Sequence, residues 1–183
     1  MNAWGTDRAK KMIQKLRVPL GFVLAAGVLY FAQPTGKSIL FGLPVAMVGG
    51  IFRALAAGVI KKDAVIATSG VYAMTRNPLY FGSSLIACGF AIMSWNDVAA
   101  ILLLLPFSII YPTVILREEA HLEQLFPDEF RAYRSKVPRF FPCFAGAAPG
   151  SFSFDQYLYN REYNTVLGFL GALAVLAVKY WAY

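Results

Sequence analysis

Long apolar runs separated by short polar breaks dominate the chain. Five can be read: Val18–Gln33, Ser38–Ile60, Leu79–Trp95, Asp97–Leu116 and Asn164–Tyr183. A hydrocarbon layer about 30 Å thick takes about 20 helical residues. The second, fourth and fifth runs meet that length. The first and third are short, and tilting against neighbours or anchoring by their flanks accommodates them. The first run is followed at once by the second and ends in no small-x-small cleavage site, so it reads as a span and not as a cleaved leader.

Composition agrees with this pattern. Hydrophobic residues make up 58% of the 183 residues and charged residues 15%, against about 45–50% and about 25% in soluble domains. An intrinsically disordered chain, a nucleic-acid module and an ordinary soluble enzyme are excluded. The predicted fold class is all-α: a polytopic integral membrane protein with about five transmembrane helices. Cys88 and Cys143 form no CxxC pair, and His121 is the only imidazole. Neither a disulfide framework nor a metal site is expected.

The net charge of +7 would suit nucleic acid, but its placement reads as topology. Of the 17 Lys and Arg, all but Lys37, Arg53 and Lys179 fall before the first run, between the second and third, or between the fourth and fifth. The positive-inside rule then puts the N-terminus, the second connection and the long 117–163 segment in the cytoplasm. The partners implied are membrane lipids, and no nucleic acid. Residues 1–142 read as a membrane core. Residues 143–183 read as a linker (Phe144–Ser153), an amphipathic piece (Phe154–Tyr163) and a further helix.

One apparent motif dissolves on inspection. Thr35-Gly36-Lys37-Ser38 resembles the end of a phosphate-binding loop, but the earlier glycine is absent, Phe31 standing in its place, and no strand precedes it. Other constellations are richer. Gly42, Ala46, Gly49 or Gly50, Arg53 and Ala57 share one face of the second run, where another helix can approach closely. Arg53 lies about 10 Å inside the cytoplasmic end at about 1.5 Å per residue. It therefore needs the interface, an acidic partner or an anionic ligand.

At the third run, Pro78 suits the first turn of a helix and biases Asn77 to an extended conformation. Arg76 stands beside it as a fork-shaped cation for a carboxylate, with Tyr72 and Tyr80 at the same depth. At the end of the fourth run, Ile115, Glu119, Leu122 and Phe126 fall on one helical stripe. This places Glu119 on the apolar face, in want of a cation such as Arg76 or Arg53. Glu118 and His121 share a different face.

These blocks carry a resemblance. Gly70-x-Tyr72-x-x-x-Arg76-Asn77-Pro78-x-Tyr80-x-Gly82, then Arg117-Glu118-Glu119-x-x-Leu122-x-x-x-Phe126, then Glu129-Phe130-x-x-Tyr133 and Val137-Pro138-Arg139-Phe140-Phe141-Pro142 are similar to the isoprenylcysteine carboxyl methyltransferase family, relatives of the phospholipid methyltransferases. The likeness runs from about Arg53 to Pro142. Asn77 stands where the carboxyl methyltransferases commonly carry His, as in bacterial relatives.

The resemblance implies a membrane methyltransferase using S-adenosylmethionine (SAM), in a bacterial inner membrane, with a cytoplasmic catalytic cap. Its cofactor would lie against Tyr72, Arg76, Asn77, Pro78, Tyr80, Glu118, Glu119, Phe140 and Phe141. Arg76 and Glu119 suit the carboxylate and amine of the cofactor's amino acid end. Glu119, Arg117 and Arg53 are the expected catalytic set, with Arg117 or Arg53 orienting a lipid-linked carboxylate that enters from the bilayer. The alternatives are a phospholipid N-methyltransferase, a sterol-type NADPH reductase and a non-enzymatic scaffold or transporter component.

Overall fold

A computed structural model describes residues 23–61, 64–144 and 150–182. Among the described residues eight helices follow one another. They are α1 (23–31), α2 (Gly36–Ala57), α3 (Val71–Met74), α4 (Pro78–Ser94), α5 (Asp97–Leu125), α6 (Pro127–Lys136), α7 (Phe154–Tyr159) and α8 (Tyr163–Ala182). The all-α class expected from the sequence is observed. Helices α2, α5 and α8 are long and apolar enough to cross a membrane, and α4 is a shorter apolar helix. The expected count of five is not reached by these four. Part of the first run (residues 18–22) and the basic N-terminal segment lie outside the described residues.

Local chemistry explains the boundaries. Thr35 caps α2: its hydroxyl accepts from the Ser38 amide while the Ser38 hydroxyl accepts from the Thr35 amide. The phosphate-loop lookalike is thus a capping box. Pro78 opens α4 and a left-handed Trp95 closes it. Asn96 Oδ1 then accepts from the Ala99 amide at 3.1 Å to start α5, as an N-cap side chain does. From Asp97 to Leu116, α5 is apolar and covers about 30 Å at about 1.5 Å per residue. Its last turns, carrying Glu118 and Glu119, therefore project past the hydrocarbon.

Helices α2 and α4 pack with almost no side chain between them. A Cβ on Gly42 would sit 2.5 Å from the Gly89 carbonyl oxygen, and one on Gly49 would sit 2.5 Å from that of Gly82. Gly50 faces open space, so the small-residue stripe runs through Gly49. The core is formed by Ala32, Ala46, Phe90, Met93 and Leu176, bordered by Leu103 of α5 and Phe169 and Leu173 of α8. The C-terminal helix is thus part of the same core. Around it the usual order is inverted: Leu40, Phe41, Ile51, Ile101, Leu105, Ile109, Leu167 and Leu170 are exposed, as lipid-facing positions are in a membrane protein.

The two ends of the bundle differ. At one end the Gln33 amide donates to the Ser94 carbonyl at 2.6 Å, and Lys179 Nζ donates to the Leu29 and Tyr30 carbonyls. Exposed Tyr30, Trp95 and Trp181 belong to that end, as interfacial aromatics do. Apart from Lys37 and Lys179, the described basic residues lie toward the opposite end, and so do the described ion pairs.

Candidate functional site

Glu119 is the centre of the basic end. Its place on the stripe with Ile115 turns it inward, and its side chain is 8% exposed. Three donors converge on it. Asn77 Nδ2 donates to Oε1 at 3.2 Å, Arg76 Nη2 lies 3.4 Å from the same oxygen, and Arg139 Nε donates to Oε2 at 3.0 Å. Arg76 and Asn77 come from the turn before α4. That turn is held by backbone bonds to the 137–143 segment: Arg76 N to Pro138 O and Cys143 N to Met74 O, both 2.9 Å. Asn77 Nδ2 also donates to the Arg139 carbonyl at 2.9 Å, and the Thr75 hydroxyl to that of Phe140 at 2.9 Å. Asn77 therefore leaves its own helix uncapped and serves the site.

Arg76 is incompletely satisfied. Its side chain is 7% exposed, yet Nε and Nη1 are buried with no hydrogen-bond partner. Its guanidinium carbon lies 5.9 Å from the centre of the Phe130 ring. Burial pulls its pKa below the ordinary value, and the Glu119 carboxylate opposes that shift. Buried donors without partners are costly and rare. Arg76 also borders a cavity of about 280 Å³ lined by Tyr72, Glu118, His121, Leu122 and Tyr133. The Tyr133 hydroxyl donates to the Tyr72 carbonyl at 2.6 Å and ties α6 to α3. Burial raises both phenols above their usual range.

On the other flank of α5 a groove of about 420 Å³ runs between α4 and α5. Ala87, Cys88, Leu104, Phe107 and Tyr111 line it, and Arg139 and Phe140 stand at its polar end. Cys88 and Leu104 also border a further hollow of about 740 Å³ that reaches Trp95 and Asp97. The groove and hollow together follow α4 toward the opposite end of the bundle.

The structure brings together only some of the residues expected at the site. Tyr72, Arg76, Asn77, Glu118 and Glu119 meet around the first cavity or its floor, and Pro78 starts the helix beneath them. Tyr80 donates to Glu118 Oε1 at 2.7 Å and packs on Tyr111, their ring centroids 4.9 Å apart. Phe140 belongs to the groove, and Phe141 is exposed.

Arg53 and Arg117, expected to orient a substrate, are not brought to Glu119. Arg53 is taken up by Glu162, Thr165 and Ser83 and by the Leu79 carbonyl. Arg117 lies on an exposed face of α5 and lines neither cavity. Arg139 and Tyr133 are the site members that the candidate set omitted. Both stand in the sequence blocks that carry the resemblance, which was the available signal.

The profile of the family described as phospholipid methyltransferase matches residues 38–129, half of the chain. The chain is 32% identical over 134 residues to the cobalt-zinc-cadmium resistance protein CzcN of Cupriavidus metallidurans, covering 69% of this chain and 61% of that one. It is 35% identical to the nickel-cobalt-cadmium resistance protein NccN of Alcaligenes xylosoxydans xylosoxydans, over 56% of this chain and 47% of that one. It is 34% identical to the protein-S-isoprenylcysteine O-methyltransferase of Schizosaccharomyces pombe, over 51% of this chain and 40% of that one. The matches thus span about half the length of these curated relatives. No solved structure matches the chain significantly.

Proposed function

The chain belongs to the phospholipid methyltransferase family, and on that premise we propose that it is an integral-membrane, SAM-dependent methyltransferase acting on a lipophilic acceptor, a lipid-linked carboxylate of the isoprenylcysteine type. The observation that carries the reading is Arg76, buried on the cavity wall with Nε and Nη1 unpartnered. A carboxylate ligand satisfies such a fork. The chemistry of the donor set fits SAM: a cation for its carboxylate in Arg76, an acidic group for its amine in Glu118, and aromatic surface in Tyr72 and Tyr133. When bound, SAM supplies a methyl group on a positively charged sulfur.

The chain's own residues then have three tasks. Arg76, fixed by Glu119 and Phe130, positions the amino acid end of the cofactor. The Tyr133–Tyr72 bond holds α6 over the cavity and keeps it narrow. The groove between α4 and α5 takes the acceptor's apolar part from the bilayer and aligns its head beside Glu119. Methyl transfer depends chiefly on such alignment, with reacting atoms about 3–3.5 Å apart. The basic end faces the cytoplasm in this reading, by the charge asymmetry, and the membrane is the bacterial inner membrane.

Calorimetric titration of the detergent-solubilised protein with SAM and, separately, NADPH tests the reading. SAM binds and NADPH does not. Arg76→Gln weakens SAM by about 1.5–3 kcal/mol, the range for a hydrogen bond to a charged group. Unchanged SAM affinity in a folded Arg76→Gln variant overturns the site, and binding of NADPH alone moves the protein to the reductases.

A further inference from the structure

Among the described side chains lining the groove between α4 and α5, Arg139 is the one that carries a charge. Its Nε is engaged by Glu119 Oε2 at 3.0 Å, while its side chain is 50% exposed. Its Nη1 and Nη2 make no hydrogen bond among the described residues. A guanidinium presents five donors in a planar fork, so one edge can be anchored while the other binds. We infer that Arg139 seats the acceptor, its Nε edge held by Glu119 and its Nη edge turned to an anionic oxygen at the polar end of the groove. This inference rests on the methyltransferase reading and gives the acceptor's head a residue, in the place expected for Arg53 or Arg117.

Two further features point the same way. No described His, Asp or Glu lines the groove, and both Glu119 oxygens are already occupied by donors. His121 lines the other cavity. An amine head would need a base to remove its proton, and the groove offers none. A carboxylate head needs only orientation. One of its oxygens supplies the electron pair of the new O–C bond, the pair of the broken S–C bond leaves on the donor's sulfur, and no proton moves.

Glu119 also couples the two sides. Its Oε1 fixes Arg76 for the cofactor and its Oε2 fixes Arg139 for the acceptor. One buried carboxylate thereby sets the spacing between the two cations.

Equilibrium binding in detergent, which needs no turnover, tests this with four probes: SAM, S-farnesylcysteine with a free carboxylate, its carboxamide, and phosphatidylethanolamine. The wild type binds the carboxylate at least tenfold more tightly than the amide. Arg139→Gln abolishes that preference and Arg139→Lys keeps part of it. SAM affinity without acceptor changes less than threefold in both variants, because Asn77 and Arg76 still hold Glu119. A carboxylate preference that survives Arg139→Gln overturns the inference. So does a loss of SAM affinity equal to the loss for the carboxylate, which marks Arg139 as structural. Tighter binding of phosphatidylethanolamine than of the carboxylate, lost in Arg139→Gln, overturns the carboxylate assignment for a phosphate. Failure of SAM to bind the wild type refutes the methyltransferase reading, whereas the preference for the carboxylate still reports on Arg139.

Discussion

Two guanidinium–carboxylate clusters, each built on a buried carboxylate, lie at the same end of the bundle, and they are completed to different degrees. Arg53 meets Glu162 through two parallel bonds, Nε to Oε1 at 2.7 Å and Nη2 to Oε2 at 2.9 Å. Nη2 also donates to Thr165 at 3.1 Å, and Nη1 to Ser83 and the Leu79 carbonyl. Every nitrogen of that guanidinium is used. Around Glu119 the carboxylate is saturated, but Arg76 leaves two buried nitrogens unpaired and Arg139 leaves its outer edge free. A saturated cluster has no capacity left for a ligand and serves to fasten α2, α4 and α8 together. An unsaturated one keeps donors in reserve, at a cost to the empty protein that a ligand removes.

The largest expected effect lies on the fastening side. Glu162→Gln leaves Arg53, 21% exposed, without its counter-charge; breaking a fully buried pair from one side costs about 3–5 kcal/mol, and the partial exposure puts this one at the lower end. Thermal or denaturant unfolding in detergent shows the loss, while the fraction that stays folded binds SAM as the wild type does. The double variant Arg53→Met with Glu162→Leu recovers much of the stability, since neither charge is then stranded. Loss of SAM affinity in the folded fraction of Glu162→Gln would erase the distinction between the clusters.

The packing beneath Arg53 gives the next effect. Gly49→Ala forces a Cβ against the Gly82 carbonyl oxygen one turn away from Arg53. Overpacking of this kind costs about 1–3 kcal/mol. Gly50→Ala, one residue on, meets open space and gains about 0.5–1 kcal/mol from helix propensity alone. Opposite signs at adjacent positions, read by unfolding, would sharpen the assignment of this region to stability. Equal signs would break it.

Much of this was readable from local pattern. Helical periodicity put Glu119 on the inward face, Pro78 marked the start of α4, and the small-residue stripe foretold the close contact of α2 with α4. The pairings were not readable, because they join distant segments. Arg53 and Glu162 are 109 residues apart, and the acid that completes Arg53 precedes a helix that looked like an appendage. Arg139 reaches Glu119 only because the 137–143 segment docks by backbone bonds on the turn at Arg76. Those bonds carry no side-chain signature. Choosing among three arginines for one carboxylate was a question of tertiary docking, where charge and spacing do not discriminate.

The smallest effect concerns the roof of the unsaturated side. Tyr133→Phe removes the bond to the Tyr72 carbonyl, 2.6 Å long, and costs about 1 kcal/mol at neutral pH. The same variant changes the pH dependence of stability. An unfolded phenol titrates near pH 10, whereas burial pushes folded Tyr133 above that value, against the pull of the Arg76 guanidinium. Because the folded pKa is the higher one, the neutral phenol's contribution is complete below about pH 10 and is lost as pH rises toward the folded pKa. Unfolding followed from pH 8 to pH 11 should show wild-type stability falling more steeply than that of Tyr133→Phe. Arg76→Gln should leave that slope unchanged, because the fall in this window is set by the unfolded phenol while the folded one stays protonated. A wild-type slope no steeper than that of Tyr133→Phe would mean that burial does not hold Tyr133 neutral, and that the roof of the open side is less tightly knit than its distances indicate.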